Sequence, residues 1–276
     1  IFSSTMIFPM LIALTENGHT AFTFLNALAL TFSSGLLIWL TSSGSKQELR
    51  IRDGFLITSL FWCVLGCFGS LPFYLSDALD LTLIESIFES ISGLTTTGAT
   101  VLTGIEYLPK SVLFYRQQLQ WLGGMGIIVL AVAVLPMLGV GGMQLYRAET
   151  PGPVKDSKMT PRIADTAKHL WYIYLSITIA CAASYWLAGM NVFDAICHSF
   201  STVAIGGFST HDASIGYFDN NAIEIIAIIF MFIAGINFSL HFFAWQNKNF
   251  AHYNRLILFL GKSGRDNINE CLKLWK

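Results

Sequence analysis

Five runs of apolar residues, Ala21–Leu40, Phe55–Leu75, Ser111–Met137, Lys168–Met190 and Ala222–Trp245, reach the roughly 20 residues that a helix needs to cross a bilayer. Ile1–Leu14 reads as the tail of another. Two further segments carry a helical pattern and are too short to span. Leu81–Leu94 covers about 21 Å of a core about 30 Å thick, and Val192–Thr202 covers less. A polar, glycine-bearing stretch follows each one, Ser92–Thr100 and Ser201–Ser209. The order span, half-helix, Thr/Gly bend, span therefore occurs twice. An offset of 109 positions pairs Glu85 with Asp194, Ile87 with Ile196, Ser90 with Ser199, Ser92 with Ser201, Gly98 with Gly207 and Thr100 with Ser209. The pattern predicts an internal repeat of roughly 110 residues.

Irregular backbone at membrane depth is costly, because each unpaired N–H or C=O forfeits its water partner. It persists where protein shields it or where it lines a wet cavity. A half-helix that enters and turns back aims its C-terminal end, carrying about half a negative charge, at the membrane centre, which favours a cation there. The bend must then turn its carbonyls inward, through dihedrals that glycine adopts cheaply. Gly98 and Gly207 are the candidates, with the carbonyls of Thr96, Thr97, Ala204, Ile205 and Gly206 as expected ion ligands. Within this set Thr97, Gly98, Gly206 and Gly207 are the expected direct cation ligands through backbone oxygens. A Gly/Thr flex point in an ordinary helix is the plainer reading of either motif taken singly.

Composition fits this layout. Hydrophobic residues make up 54% of the chain and charged ones 12%, about half the usual soluble share. A net charge of −1 gives no polyelectrolyte signal, so nucleic acid is not an expected partner and the lipid bilayer is. Cys63, Cys67, Cys181 and Cys197 fall inside apolar segments and read as small buried hydrophobes. All 16 Lys and Arg except Lys110 and Arg116 fall in the loop Thr41–Gly54, the loop Leu138–Lys168 or the tail after Trp245. The positive-inside rule puts those segments in the cytoplasm, so both half-helices enter from outside, the side of Asp77, Asp80, Asp212 and Asp219.

Intramembrane acids cost about 2.5–3.5 kcal/mol at a helix centre and tend to be functional or paired. Glu85 and Asp194 are the expected pore-vestibule acids, with capping of the short helices as an equal alternative. Glu89 is read as a capping or hydrogen-bonding acid. Arg116 is expected to brace the filter or to answer Glu85, against simple snorkelling to the interface. His198 beside Cys197 reads as a hydrogen-bonded packing histidine rather than a metal site. Trp121–Gly126 reads as a close-packing patch. Soluble-enzyme signals fail: Gly261-Lys262-Ser263 lacks the upstream glycine of a phosphate loop, and no nucleophile–base pair shares a face, so no enzyme activity is expected.

Ser92–Val101, Trp121–Gly126, the loop Gly141–Pro153 and Phe193–Phe218 together resemble the membrane subunits of bacterial Trk potassium-uptake systems, within the Trk/Ktr/HKT superfamily. The resemblance implies an all-α integral membrane protein of tandem M1–pore helix–filter loop–M2 repeats, potassium-channel-like, preceded by one or two extra transmembrane helices. It also implies potassium uptake across the bacterial cytoplasmic (inner) membrane by a multi-pass protein. One filter glycine per repeat, here Gly98 and Gly207, would set potassium preference. Homodimers and a TrkA-type cytoplasmic nucleotide-binding regulatory subunit are the implied partners. No cofactor is expected, and potassium is the transported substrate.

The expected organisation is 1–54, extra helices and a cytoplasmic loop; 55–138, the first repeat; 139–167, a cytoplasmic loop; 168–245, the second repeat; and 246–276, a polar tail unlike the family. Two of the family's four repeats are found. The chain opens on Ile1 inside an apolar run, so it is read as a fragment, with no signal peptide expected. The alternative is a truncated, non-conducting subunit that scaffolds a cytoplasmic regulator through the basic loop Gln144–Lys168.

Overall fold

The computed structural model describes residues 2–16, 20–42, 51–129 and 163–236. The predicted loops 139–167 and 246–276, and the ends of the spans Ser111–Met137 and Ala222–Trp245, lie wholly or partly outside those residues. Regular structure among the described residues is helical throughout. A 3-10 turn, Phe2–Met6, leads into α1 (Ile7–Thr15), followed by α2 (Ala21–Ser42), α3 (Ile51–Gly69) and the single turn α4 (Leu71–Tyr74). Then come α5 (Leu83–Leu94), α6 (Lys110–Val129), α7 (Ile163–Leu187), α8 (Val192–Ala204) and α9 (Asn221–Gly235).

Burial is inside-out relative to a soluble protein. Arg116, Glu89, Gln117 and Gln120 are fully buried, while Phe22, Phe32, Leu37, Trp39 and Ile228 stand more than half exposed. Apolar side chains facing outward are costly in water and neutral in hydrocarbon, whereas polar groups in a membrane turn to the bundle interior. Among the described residues Ala21–Thr41 and Lys168–Leu187 are helical stretches both long and apolar enough to cross a bilayer.

Two cores flank α6. One gathers Phe24, Phe73, Tyr115 and Leu119; the other gathers Tyr174, Tyr185 and Ile223. Phe24 and Phe73 meet the Tyr115 ring at centroid distances of 5.6 and 5.2 Å, and the Tyr115 hydroxyl donates to the Gly69 carbonyl at the end of α3 (3.0 Å). Trp121 stacks on Phe200 at 5.1 Å and donates to the Thr178 hydroxyl (3.1 Å), tying α6 to α8 and α7. The N-terminus of α6 is satisfied from α1, since the Glu16 carboxylate accepts from the amides of Lys110 (2.9 Å) and Ser111 (3.1 Å).

The patch Trp121–Gly126 has a specific use. A side chain at Gly123 would collide with the Leu94 carbonyl, the last turn of α5. One at Gly124 would press on Ala204 at 3.2 Å, the last turn of α8. Adjacent glycines thus let α6 touch the C-terminal ends of both half-helices. Gly123→Val is expected to lower the melting temperature of the detergent-purified protein by several degrees, as overpacking costs about 1–3 kcal/mol. An unchanged melting curve would contradict the close approach.

Candidate functional site

Each half-helix opens on an acid three residues after its N-cap. In α5 the Thr82 hydroxyl accepts from the Glu85 amide (3.3 Å), and the Glu85 carboxylate accepts from the Thr82 amide (2.9 Å) and hydroxyl (2.7 Å), a capping box. In α8 the Asn191 side chain accepts from the Asp194 amide (2.9 Å) and donates to its carboxylate (2.6 Å). Asp194 also accepts from the Thr210 hydroxyl (2.6 Å) and meets His211 Nε2 at 3.2 Å. Glu85 and Asp194 therefore occupy the helix starts, roughly 14 Å of helix away from the bends.

The helix ends match as closely as the starts. The Thr96 amide bonds the Gly93 carbonyl (3.0 Å) and the Thr97 amide bonds that of Ser92 (2.9 Å). Their counterparts 109 positions on are the Ile205 amide to the Thr202 carbonyl (3.1 Å) and the Gly206 amide to that of Ser201 (2.8 Å). Positive φ recurs in step: Thr96 at 55° and Gly98 at 75°, Ile205 at 54° and Gly207 at 88°. A β-branched residue in the left-handed region costs about 1–2 kcal/mol, so Thr96 and Ile205 are held there by their surroundings. Successive carbonyls of an extended chain point to opposite sides. A left-handed residue at every second position turns them toward one side, which is the geometry an oxygen ladder needs. The two bends also meet. A side chain at Gly98 would collide with the Gly206 carbonyl and approach the Gly207 Cα at 3.3 Å.

Behind the bends runs a buried polar network. Arg116 Nε donates to Glu89 Oε1 at 2.7 Å, with neither side chain exposed to solvent. Nη2 of the same guanidinium donates to the Thr100 hydroxyl (3.0 Å), Nη1 donates to the Ser209 carbonyl (3.2 Å), and the plane lies 4.3 Å from the Phe208 ring centre. The Thr100 hydroxyl and the Val101 amide complete Glu89. One arginine thereby joins the segment that leaves the first bend to the segment that leaves the second. Gln120 accepts from the Phe208 amide (3.2 Å) and fills the space a side chain at Gly206 would need.

Of the sequence-predicted residues, Thr96, Thr97, Gly98, Ala204, Ile205, Gly206 and Gly207 lie at or beside the two bends that meet, and Arg116 lies directly behind them. The partner of Arg116 is Glu89, not Glu85. Glu89 and Gln120 were missed as site residues. A T-x-x-E capping signal over 82–85 could have assigned Glu85 to its cap and freed Glu89 for the arginine.

Helices that break at two matched positions around touching backbone, with polar groups turned inward and apolar ones outward, are the architecture of a helical membrane protein. The family model for TrkH, described as a cation transport protein, matches residues 20–275. The Trk system potassium uptake protein TrkH of Halomonas elongata is 61% identical over 253 residues, which is 92% of this chain and 52% of that protein. Its Escherichia coli counterpart is 56% identical, over 92% of this chain and 53% of that one. The crystal structure of the potassium transporter TrkH from Vibrio parahaemolyticus superposes with a TM-score of 0.78 at 54% identity, covering 89% of this chain and 49% of that one. The chain belongs to the TrkH family of cation transport proteins, and it spans about half the length of the relatives it matches. The family match runs to residue 275, so the segment after Trp245, set apart above as unlike the family, is part of the likeness.

Proposed function

We propose that this chain supplies two of the filter-bearing repeats of a potassium-uptake protein, 55–138 and 168–245, each an M1–pore helix–filter loop–M2 unit. The observation that carries the reading is the pair of bends with the same alternation of left-handed residues, meeting backbone to backbone at Gly98, Gly206 and Gly207. Thr96, Thr97, Gly98, Ala204, Ile205, Gly206 and Gly207 offer carbonyl oxygens in place of the water a potassium ion loses, with Thr97, Gly98, Gly206 and Gly207 as its direct ligands. The C-terminal ends of α5 and α8 add negative potential. Glu85 and Asp194 stand at the outer ends of the half-helices, where their charge raises the cation concentration at the mouth.

Arg116 braces the filters from behind. The membrane potential draws the ion inward with about 2.3 kcal/mol per charge per 100 mV. The protein lies in the bacterial inner membrane as a multi-pass homodimer, with a TrkA-type nucleotide-binding subunit on its cytoplasmic face.

The test is growth of an uptake-deficient strain on limiting potassium, with rubidium uptake measured in the same cells carrying the intact gene. Restored growth and rubidium uptake that excess sodium does not inhibit are expected. Growth equal to the empty-vector control, with the protein present in the membrane, would rule the reading out.

A further inference from the structure

The two bends are braced by different chemistry at the same position of the repeat. Glu89 plus 109 is His198, and Thr100 plus 109 is Ser209. In the first unit the Thr100 hydroxyl bonds the Glu89 carboxylate at 3.0 Å and accepts from the Leu102 amide at 3.1 Å. In the second, Ser209 Oγ lies 3.0 Å from His198 Nε2 and accepts from the His211 amide at 3.0 Å. His198 Nδ1 lies 2.9 Å from the Asp194 carbonyl oxygen, which can only accept. The ring proton therefore sits on Nδ1, Nε2 is the acceptor, and the Ser209 hydroxyl donates to it. This chain of bonds runs from the start of α8 to the segment beyond Gly207 and is complete with a neutral imidazole.

The reason for the exchange is a shortage of cations. Arg116 answers Glu89, while the position 109 residues after Arg116 is Ile225, which is exposed on the apolar surface. A second carboxylate at 198 would share one arginine with Glu89, and an incompletely paired buried charge is costly. A neutral histidine makes the same contact without a counter-ion. Ser209 is then gripped twice, its hydroxyl by His198 and its carbonyl by Arg116.

We propose that His198 is a positioning residue for cation selection, holding the segment after the second filter through the Ser209 hydroxyl. The proposal rests on the carbonyl-filter reading. It is tested on the intact gene product by the rubidium-over-sodium uptake ratio, with Gly98→Ser as the filter control. His198→Leu removes the bonds to Ser209 and to the Asp194 carbonyl, and Ser209→Ala removes those to His198 and the His211 amide. Each is therefore expected to lower the ratio three- to ten-fold, about the worth of one to two net hydrogen bonds. The double variant is expected to lose less than the sum of the two singles, because the bond between His198 and Ser209 is common to both. His198→Gln, whose amide donates and accepts, is expected to recover most of the ratio. Ser209→Ala deletes a single oxygen and so keeps the test open if His198→Leu does not fold. An unchanged ratio in Ser209→Ala, or additive losses in the double variant, overturns the proposal. An unchanged ratio in Gly98→Ser overturns the filter reading and this proposal with it.

Discussion

Replacing Gly98 by serine is expected to cut the potassium-over-sodium preference of the intact transporter at least ten-fold while the protein still reaches the membrane. Two effects act together at this residue. Its φ of 75° costs a non-glycine residue about 1–2 kcal/mol. Its Cβ would also run into the Gly206 carbonyl, one of the oxygens proposed to hold the ion, with the Gly207 Cα 3.3 Å away. Backbone on the far side cannot swing aside as a flexible side chain would. The carbonyl must therefore move, and oxygen placement is what separates potassium from sodium. Gly207 has a φ of 88°, which also penalises a non-glycine residue, but the nearest atom to a side chain there is the Gly98 Cα at 3.9 Å. Gly207→Ser is accordingly expected to lose less preference than Gly98→Ser. Rubidium and sodium uptake by the two variants in parallel checks this order. Equal and wild-type values for both would remove the glycines from the selection step.

Arg116→Leu is expected to be among the most damaging single substitutions to folding, because it leaves the Glu89 carboxylate buried without its cation. Breaking a buried pair from one side costs about 3–5 kcal/mol, most of it the penalty for the stranded charge. Glu89→Leu strands the guanidinium in the same way. The double variant Glu89→Leu/Arg116→Leu strands neither charge and should recover part of the lost stability, so the single effects will not add. Arg116→Lys is not a mild change, since one ammonium cannot reach Glu89, Thr100 and the Ser209 carbonyl along the directions of a planar fork. Melting temperatures of the four detergent-purified proteins give the coupling. Strictly additive shifts would mean that the contact between Arg116 and Glu89 contributes nothing to the fold.

The half-helices were legible from the sequence because length and apolarity are local. Observed bounds of Leu83–Leu94 and Val192–Ala204 sit within two residues of those expected. The offset of 109 was legible too, since identical or similar residues mark it. Pairs of unlike residues hid the rest of the correspondence. Thr96 and Ile205 share a left-handed backbone without sharing chemistry, and glycine alone advertises that conformation in a sequence. Thr82 and Asn191 both cap, and Glu89 and His198 both hold a hydroxyl, which only the bonds themselves reveal. Arg116 could be flagged as a buried cation, whereas its choice of Glu89 over Glu85 depends on how α5 and α6 pack. The contact between the two bends depends on three helices at once, and no pattern along the chain encodes it.

The adjacent glycines of α6 carry one more implication. Leu94 and Ala204 rest on neighbouring residues of the same rod, so the two half-helices share a single bearing surface. A sub-ångström slide of that rod shifts the footing of both at once. Any shift of α6 at Gly123 and Gly124 therefore reaches the ends of both half-helices together.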